Sequence, residues 1–502
     1  AATEPAAPAA PAPNPHEGDG FFLRLWENTW EAVRKDGFDD PGPDPPRRCN
    51  PPAVYTDPPF TSLSEFQGYP LIGIPGGAPI GILPTTLQEG PNGQWWKDTR
   101  CTLDGWIEGG ANLSSAKLTN TPAAYWIVPN SVQLDQAVLR FQRTCDTVQT
   151  DHWDFGFKSI LLYGMDYRYM VAGGWWPGYQ ELLFRNELYG LDFTEQFLEF
   201  YCPYVAQGMS IRVGRWIACP DIETQYGPDN YTCSHSLLFT YDTYTQTGVM
   251  MSFKINRQLM VQGAIESGTD MAPWYPGAVA TGMVGLRWVS EDNHDSFYSC
   301  VNEINASEFR NLTQYSYLTG TQVATGHDDY NYYVSSYQHK FNDNVHTAFE
   351  AYYMWQMNTV LGGTPSIGPT APYGGGGGLT PGPANFVNGA NIGGSYLPGL
   401  SRTYGFLNYT EFAVNKTDYI TVRNEWWDDT RGMRSGIPGN YTSNTIGYCK
   451  NFNAAVQMRP EIGYYRNWNN PAFDSTNPNG NLKSGFGEKG MLMGGIDATF
   501  HF

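Results

Sequence analysis

From Leu103 to Phe502 the chain keeps one rhythm: segments with apolar residues at every second position, joined alternately by short and long connections. The candidate strands are 103–114, 131–143, 153–170, 195–206, 208–219, 245–254, 257–267, 277–289, 294–305, 330–341, 344–358, 402–414, 416–428, 443–452, 454–467 and 490–502. Short connections fall near Gln207, Ile255–Asn256, Ser290–Asn293, Asn342–Asp343, Asn415 and Asn453. Long ones fall at 115–130, 171–194, 220–244, 268–276, 306–329, 359–401, 429–442 and 468–489. An up-and-down barrel with turns at one rim and loops at the other has this pattern. A soluble sandwich has no reason to sustain it. The expected fold class is all-β: a closed antiparallel transmembrane β-barrel of about sixteen strands, each near the ~9–11 residues of a tilted membrane strand.

Composition alone does not decide this. Aromatics make up 15% and charged residues 16%, which suits a barrel and would also suit a secreted glycan-active β protein. No stretch approaches the ~18 consecutive apolar residues of a membrane helix. The last strand is more telling. In MLMGGIDATFHF, Leu492, Ile496, Ala498, Phe500 and Phe502 share one face, and Asp497, Thr499 and His501 share the other. A terminal aromatic on an alternating strand resembles the signal that outer-membrane barrels present to the assembly machinery, which gives Phe502 that role. The net charge of −19 argues against nucleic acid, since nothing would neutralise phosphates. No nucleophile–base motif, phosphate loop, dinucleotide fingerprint or zinc spacing is present. The expectation is therefore no enzyme, no cofactor and no metal site. His327-Asp328-Asp329 and Asp428-Asp429 read as solvated loop charges ahead of Ca²⁺ ligands.

Ahead of the barrel (103–502) the reading divides the chain in three. Residues 1–17 are an Ala/Pro tract that reads as a disordered spacer, the start AATEPAAPAAPAP resembling a mature chain after signal-peptide removal. Residues 18–36 place Phe22, Trp26, Thr29, Trp30 and Val33 on one helical face. This helix either docks on the periplasmic mouth or serves in oligomerisation or envelope anchoring. Residues 37–102 are largely Pro- and Gly-rich and read as a periplasmic strap or partial plug.

Strand periodicity also assigns faces. With Ile420 and Val422 outward, Thr421, Arg423 and Glu425 point inward; with Val456, Met458 and Ile462 outward, Gln457, Arg459 and Glu461 point inward. Arg212 lies opposite Ile211 and Val213, and Arg215 is inward only if Gly214 marks a bulge. Arg140 is ambiguous between Leu139 and Phe141. An arginine facing lipid near the midplane costs about 2–4 kcal/mol, so inward placement is the default. Of eight cysteines, Cys219 and Cys233 would close a loop of about 15 residues, worth roughly 3 kcal/mol by chain entropy. Cys101 and Cys145 would meet at the rim of an antiparallel pair. Cys49, Cys202, Cys300 and Cys449 have no assigned partner.

The chain resembles the outer-membrane β-barrel porins of the OmpL-like type. The resemblance is carried by residues 105–170, by YVAQGMSIRVGRWIACPDIETQYGPDNYTCSHSLLFTYDTYTQTG (204–248), by RNEWWDDTRGMRSG (423–436) and by VQMRPEIGYY (456–465), with a faint match at IGIPGGAPI (72–80). It implies integral residence in a bacterial outer membrane, among lipid and lipopolysaccharide. It also implies passive diffusion of small hydrophilic solutes or ions, and, by analogy with general porins, a homotrimer. In general porins the third outer loop folds inward, so the resemblance implies the same for 220–244. That loop brings Asp221, Glu223 and Asp229. The expected constriction sets these acids against Arg140, Arg212, Arg215, Arg423 and Arg459, with Glu425 and Glu461 beside them. The alternative is a largely plugged barrel that serves as an envelope tether.

Overall fold

The structure, a computed structural model, describes residues 18–35, 72–73, 81–305, 310–316, 321–327, 330–360, 396–474 and 487–502, with breaks at 118, 121, 124, 171, 176–187, 219–221, 276–277, 293 and 343. The expected spacer 1–17, most of the strap 37–80, Asp221, Cys49 and Cys219 lie outside the described residues.

The alternating segments form β1 (Cys101–Ser114), β2 (Val132–Arg143), β3 (Asp154–Gly164), β4 (Gly190–Cys202), β5 (Met209–Ile217), β6 (Thr245–Lys254), β7 (Leu259–Glu266), β8 (Thr281–Val289) and β9 (Asp295–Ile304). After a hairpin, β10 (Arg310–Ser316) and β11 (Thr321–His327), follow β12 (Asn331–Asn342), β13 (Val345–Val360), β14 (Tyr396–Ala413), β15 (Asp418–Asp429), β16 (Gly439–Asn451), β17 (Val456–Asn467) and β18 (Gly490–His501). Except for β10 and β11, which pair with each other, the strands close a barrel in sequence order, and β1 seals it against β18. Each barrel pairing is antiparallel, as between Trp106 and His501 at the seam. Closure leaves no unpaired edge, which a strand in hydrocarbon could not tolerate.

The period-two pattern sorts side chains as it must. Leu198, Val213, Ile265, Val284, Phe406 and Ile462 are exposed on the outer wall, while Asp192, Arg215, Arg423 and Arg459 are buried within. A register shift corrects the period between β1 and β2: Glu108 faces Gln136 and Gly109 faces Leu134, which leaves Asp135 of β2 as the extra residue, and beyond it Arg140 is inward and buried. At Gly214 the register runs on without the expected bulge. Its φ of 137° suits glycine, and Arg215 next to it is buried.

Among the described residues three helices precede the first strand: α1 (Phe21–Arg34), α2 (Ile82–Gln88) and α3 (Gly93–Thr99). The expected helix is present, but it docks by its polar side. Arg24 and Asn28 are buried, whereas Phe22, Trp26 and Trp30 are exposed. Asn28 donates to Thr86 and Glu89, each at 3.0 Å, and Asn453 of the β16–β17 turn donates to the Val33 carbonyl at 3.1 Å. The helix therefore sits at the short-turn rim, periplasmic in outer-membrane barrels. The expected strand 153–170 stops at Gly164, and Tyr167–Met170 form α4. No helix among the described residues is long and apolar enough to cross a membrane.

Neither expected disulfide forms. Cys101, Cys145 and Cys233 are free thiols, as are Cys202 and Cys449. Cys101 lies across from Arg143, two residues short of Cys145, and the Cys145 sulfur turns to the Glu199 carbonyl at 3.5 Å. Closeness at a strand rim is not enough, because a bridge also needs converging Cβ vectors. Cys233 is buried beside Glu461. Cys300 is disulfide-bonded.

Candidate functional site: the lumen and the third outer loop

The connection between β5 and β6 is the third at the long-loop rim. From Ile222 to Thr247 every residue is buried except Thr224, which is half-buried. An irregular segment carries backbone donors and acceptors with no ladder to receive them, and buried ones must find partners. Here the lumen wall supplies them. Ile222 N–H donates to Glu350 of β13 at 2.9 Å. Ser234 N–H donates to Glu461 of β17 at 3.2 Å. Leu238 N–H, in the short helix α5 (Leu237–Thr240), donates to Glu425 of β15 at 2.6 Å. In the other direction, Arg459 donates to the carbonyls of Gly227 at 2.6 Å and Asn230 at 2.7 Å. Arg423 donates to the Ser234 carbonyl at 2.7 Å. Gln136 of β2 does both: it donates to the Gln225 carbonyl at 2.6 Å and accepts from Gly227 N–H at 3.3 Å. Wall carboxylates take loop N–H groups, and wall guanidiniums take loop carbonyls.

Contact is closest at Gly227. A Cβ there would stand 1.6 Å from a Glu108 carboxylate oxygen. Only glycine lets this backbone pass so near the wall.

Of the three loop acids expected, Asp221 lies outside the described residues. Glu223 is buried and accepts from Ser236 N–H at 3.0 Å, from the Ser236 hydroxyl and from Tyr409. Arg423 stands 3.7 Å away. Burial raises the Glu223 carboxyl above its usual range, and the Arg423 charge opposes that. Asp229 is buried in a tight turn at Gly227–Asp229. His235 stacks between Tyr125, 3.9 Å centroid to centroid, and Phe239, 4.8 Å. Burial, with Arg423 and Arg459 nearby, holds its imidazole well below its ordinary value. It remains neutral at physiological pH and acts as an aromatic plate.

Among the described residues the five expected arginines divide into two groups. Arg140 pairs with Asp104 at 2.8 Å, Arg212 with Glu199 at 3.0 Å and Arg215 with Asp192 at 3.0 Å. These are wall-to-wall bridges. Arg140–Asp104 and Arg212–Glu199 are direct cross-strand partners, the geometry in which opposite charges stabilise a sheet. Arg423 and Arg459 do reach the loop. Arg459 also bridges Asp497, opposite it in register, and Glu108 at 2.9 Å. Arg423 is held by Thr445 at 3.1 Å and Tyr465 at 3.0 Å. Glu425 and Glu461 act on the loop backbone rather than opposing its acids. The sequence reading passed over Glu108, Gln136, Glu350, Tyr409, Tyr465 and Asp497 as site residues. For Asp497 it assigned the polar face. The inward phase of β13 carries the same signal for Glu350. Among the described residues no cluster of side chains could hold a metal ion.

Sixteen antiparallel strands without an edge, apolar outside and charged within, define a β-barrel of the outer-membrane porin class. The model of a family described as "Putative beta-barrel porin-2, OmpL-like" matches residues 100–502, and the chain belongs to that family: it is a porin of the bacterial outer membrane. Solved structures similar to it include an anion-selective porin from Comamonas acidovorans, at 9% identity over 80% of this chain and 99% of that one, with a TM-score of 0.45. The trimer form of OmpT from Vibrio cholerae is 9% identical over 80% and 99%, with a TM-score of 0.44. The outer membrane channel DcaP of Acinetobacter baumannii is 11% identical over 80% and 97%, with a TM-score of 0.43. No curated protein matches the chain.

Proposed function

We propose that this porin passes small hydrophilic solutes or ions through a lumen that the loop 220–244 narrows. The observation that carries the reading is the loop's docking by its backbone on β2, β13, β15 and β17. A segment held this way stays in the lumen and lends it a fixed set of charges. On this reading the buried charges of the loop and wall, Glu223 and Arg423 among them, set the field that a hydrated solute or ion meets, and an apolar one gains nothing from it. On this reading no chemistry is catalysed. The chain works in a bilayer of lipid and lipopolysaccharide. Self-association to a trimer is the default by analogy with general porins.

Burial of the loop along its length supports a second reading, a largely plugged barrel used as an envelope tether. Planar-bilayer conductance separates the two: discrete ohmic steps support the porin, and a silent folded barrel supports the plug. Reversal potentials under a salt gradient then test the constriction. Glu223→Gln with Asp229→Asn should lower cation over anion permeability, and neutralising Arg423 and Arg459 should raise it. Unchanged selectivity in both would remove the loop from the permeation path.

A further inference from the structure

The outer wall is not uniform. On β5–β8 it presents Val213, Val249, Met251, Ile265, Val284 and Leu286, as hydrocarbon requires. On β14, β15 and β16 it presents asparagine. Asn408 pairs with Asn424 and Asn424 with Asn444, so three amides stand side by side across adjacent strands. The row falls in the middle of β15 and β16, where the bilayer offers no hydrogen bonds. Asn408 is satisfied within the wall, donating to Thr347 at 2.9 Å. Asn424 and Asn444 are exposed, and neither makes a side-chain hydrogen bond to another described residue.

Polarity continues around the same side. Ser299 and Ser335 bond each other at 2.9 Å, and Thr347 and Thr410 at 3.2 Å. The same face is concave. A shallow, open depression of about 510 Å³ is lined by Ser335, Ala351, Asn408, Phe349, Phe406 and Trp426. A convex barrel wall in lipid has no need of either feature.

We propose that this face, spanning β12 to β16, is where the protein associates with a second copy of itself in the membrane. An amide both donates and accepts, so a row of asparagines is complementary to its own copy. The outward side chains around the depression carry no charge, so two copies meet there without like-charge repulsion. The depression accepts an aromatic side chain from the facing rim, as a hole accepts a knob. Acyl chains could fill the depression but would leave the Asn424 and Asn444 amides unpaired.

The test uses the full chain extracted in mild detergent, with mass read by native mass spectrometry and folding by heat-modifiable migration. The wild type should run as an oligomer. Asn424→Leu with Asn444→Leu, and separately Ala351→Trp to fill the depression, should shift it to monomer while the barrel stays folded and conducts. Independently, Asn424→Cys should cross-link between copies on oxidation in native membranes, and Val284→Cys should not. A monomeric wild type would overturn the proposal, as would an oligomer that survives both variants. So would quenching by brominated lipid of a fluorophore at Asn424→Cys, which would place hydrocarbon there, or capture of a different protein by that cysteine.

Discussion

Replacing Arg423 with methionine keeps most of the side-chain length and removes the charge. In the wild type this guanidinium donates to the Ser234 carbonyl at 2.7 Å, the Ser234 hydroxyl at 2.9 Å and the Thr232 hydroxyl at 3.3 Å. Hydrogen bonds to a charged group are each worth about 1.5–3 kcal/mol. They do not add, and breaking a buried charged pair from one side typically costs about 3–5 kcal/mol. At 1.4 kcal/mol per tenfold, the docked-to-undocked ratio of the loop falls by roughly two to three and a half orders of magnitude. Arg459, Glu350, Glu425 and Glu461 still hold other points of the loop, so the expected change is flicker rather than loss of the loop. Single-channel recordings should show added open-channel noise and excursions to higher conductance. Charge gives a second readout. Without Arg423 the Glu223 carboxyl, already raised by burial, rises further. It is neutral below its pKa and charged above it. Cation preference in Arg423→Met should therefore climb as pH is raised, and adding Glu223→Gln should abolish the climb. A variant with wild-type noise, conductance and selectivity across that pH range would refute the reasoning.

Three further outcomes follow from the geometry. The thiols of Cys101, Cys145, Cys202, Cys233 and Cys449 are free and buried, so alkylation followed by mass spectrometry should leave them unmodified in the folded barrel and modify all of them after denaturation without reductant. Gly214→Ala forces a side chain onto a φ of 137° with its Cβ 2.1 Å from the Gln196 carbonyl oxygen; strain of about 1–3 kcal/mol should lower the urea midpoint of the heat-modifiable band. Asp192→Asn leaves Arg215 buried, with both side chains of the native pair fully inaccessible, and should cost about 3–5 kcal/mol in the same assay.

The barrel was legible because lipid imposes a period on each strand, and the sixteen segments read from that period correspond to the sixteen wall strands. Where lipid stops, the period loses its meaning. Residues 165–170 keep alternating in sequence, yet the chain leaves the wall at Gly164 and coils inward as α4. The hairpin of β10 and β11, which pair with each other and not with the wall, falls in a stretch that reads as a long connection. The site was half legible for a related reason. Periodicity tells which face a residue occupies and says nothing of register. It turned Arg212 and Arg459 inward, but only the register sets Arg212 opposite Glu199 and Arg459 opposite Asp497. The loop's anchors were harder still, since half of each anchor is a peptide group that any residue carries.

That last point bears on how such a channel can change. The wall grips the third loop largely by main-chain atoms, at Ile222, Gln225, Gly227, Asn230, Ser234 and Leu238. Substituting most of those positions alters what a permeating solute meets while leaving the grip in place. Substituting Gln136, Glu350, Arg423, Glu425, Arg459 or Glu461 instead loosens the grip itself. The information that fixes the loop is thus stored in strands remote from it in sequence, and the loop itself is left open to drift toward new solutes.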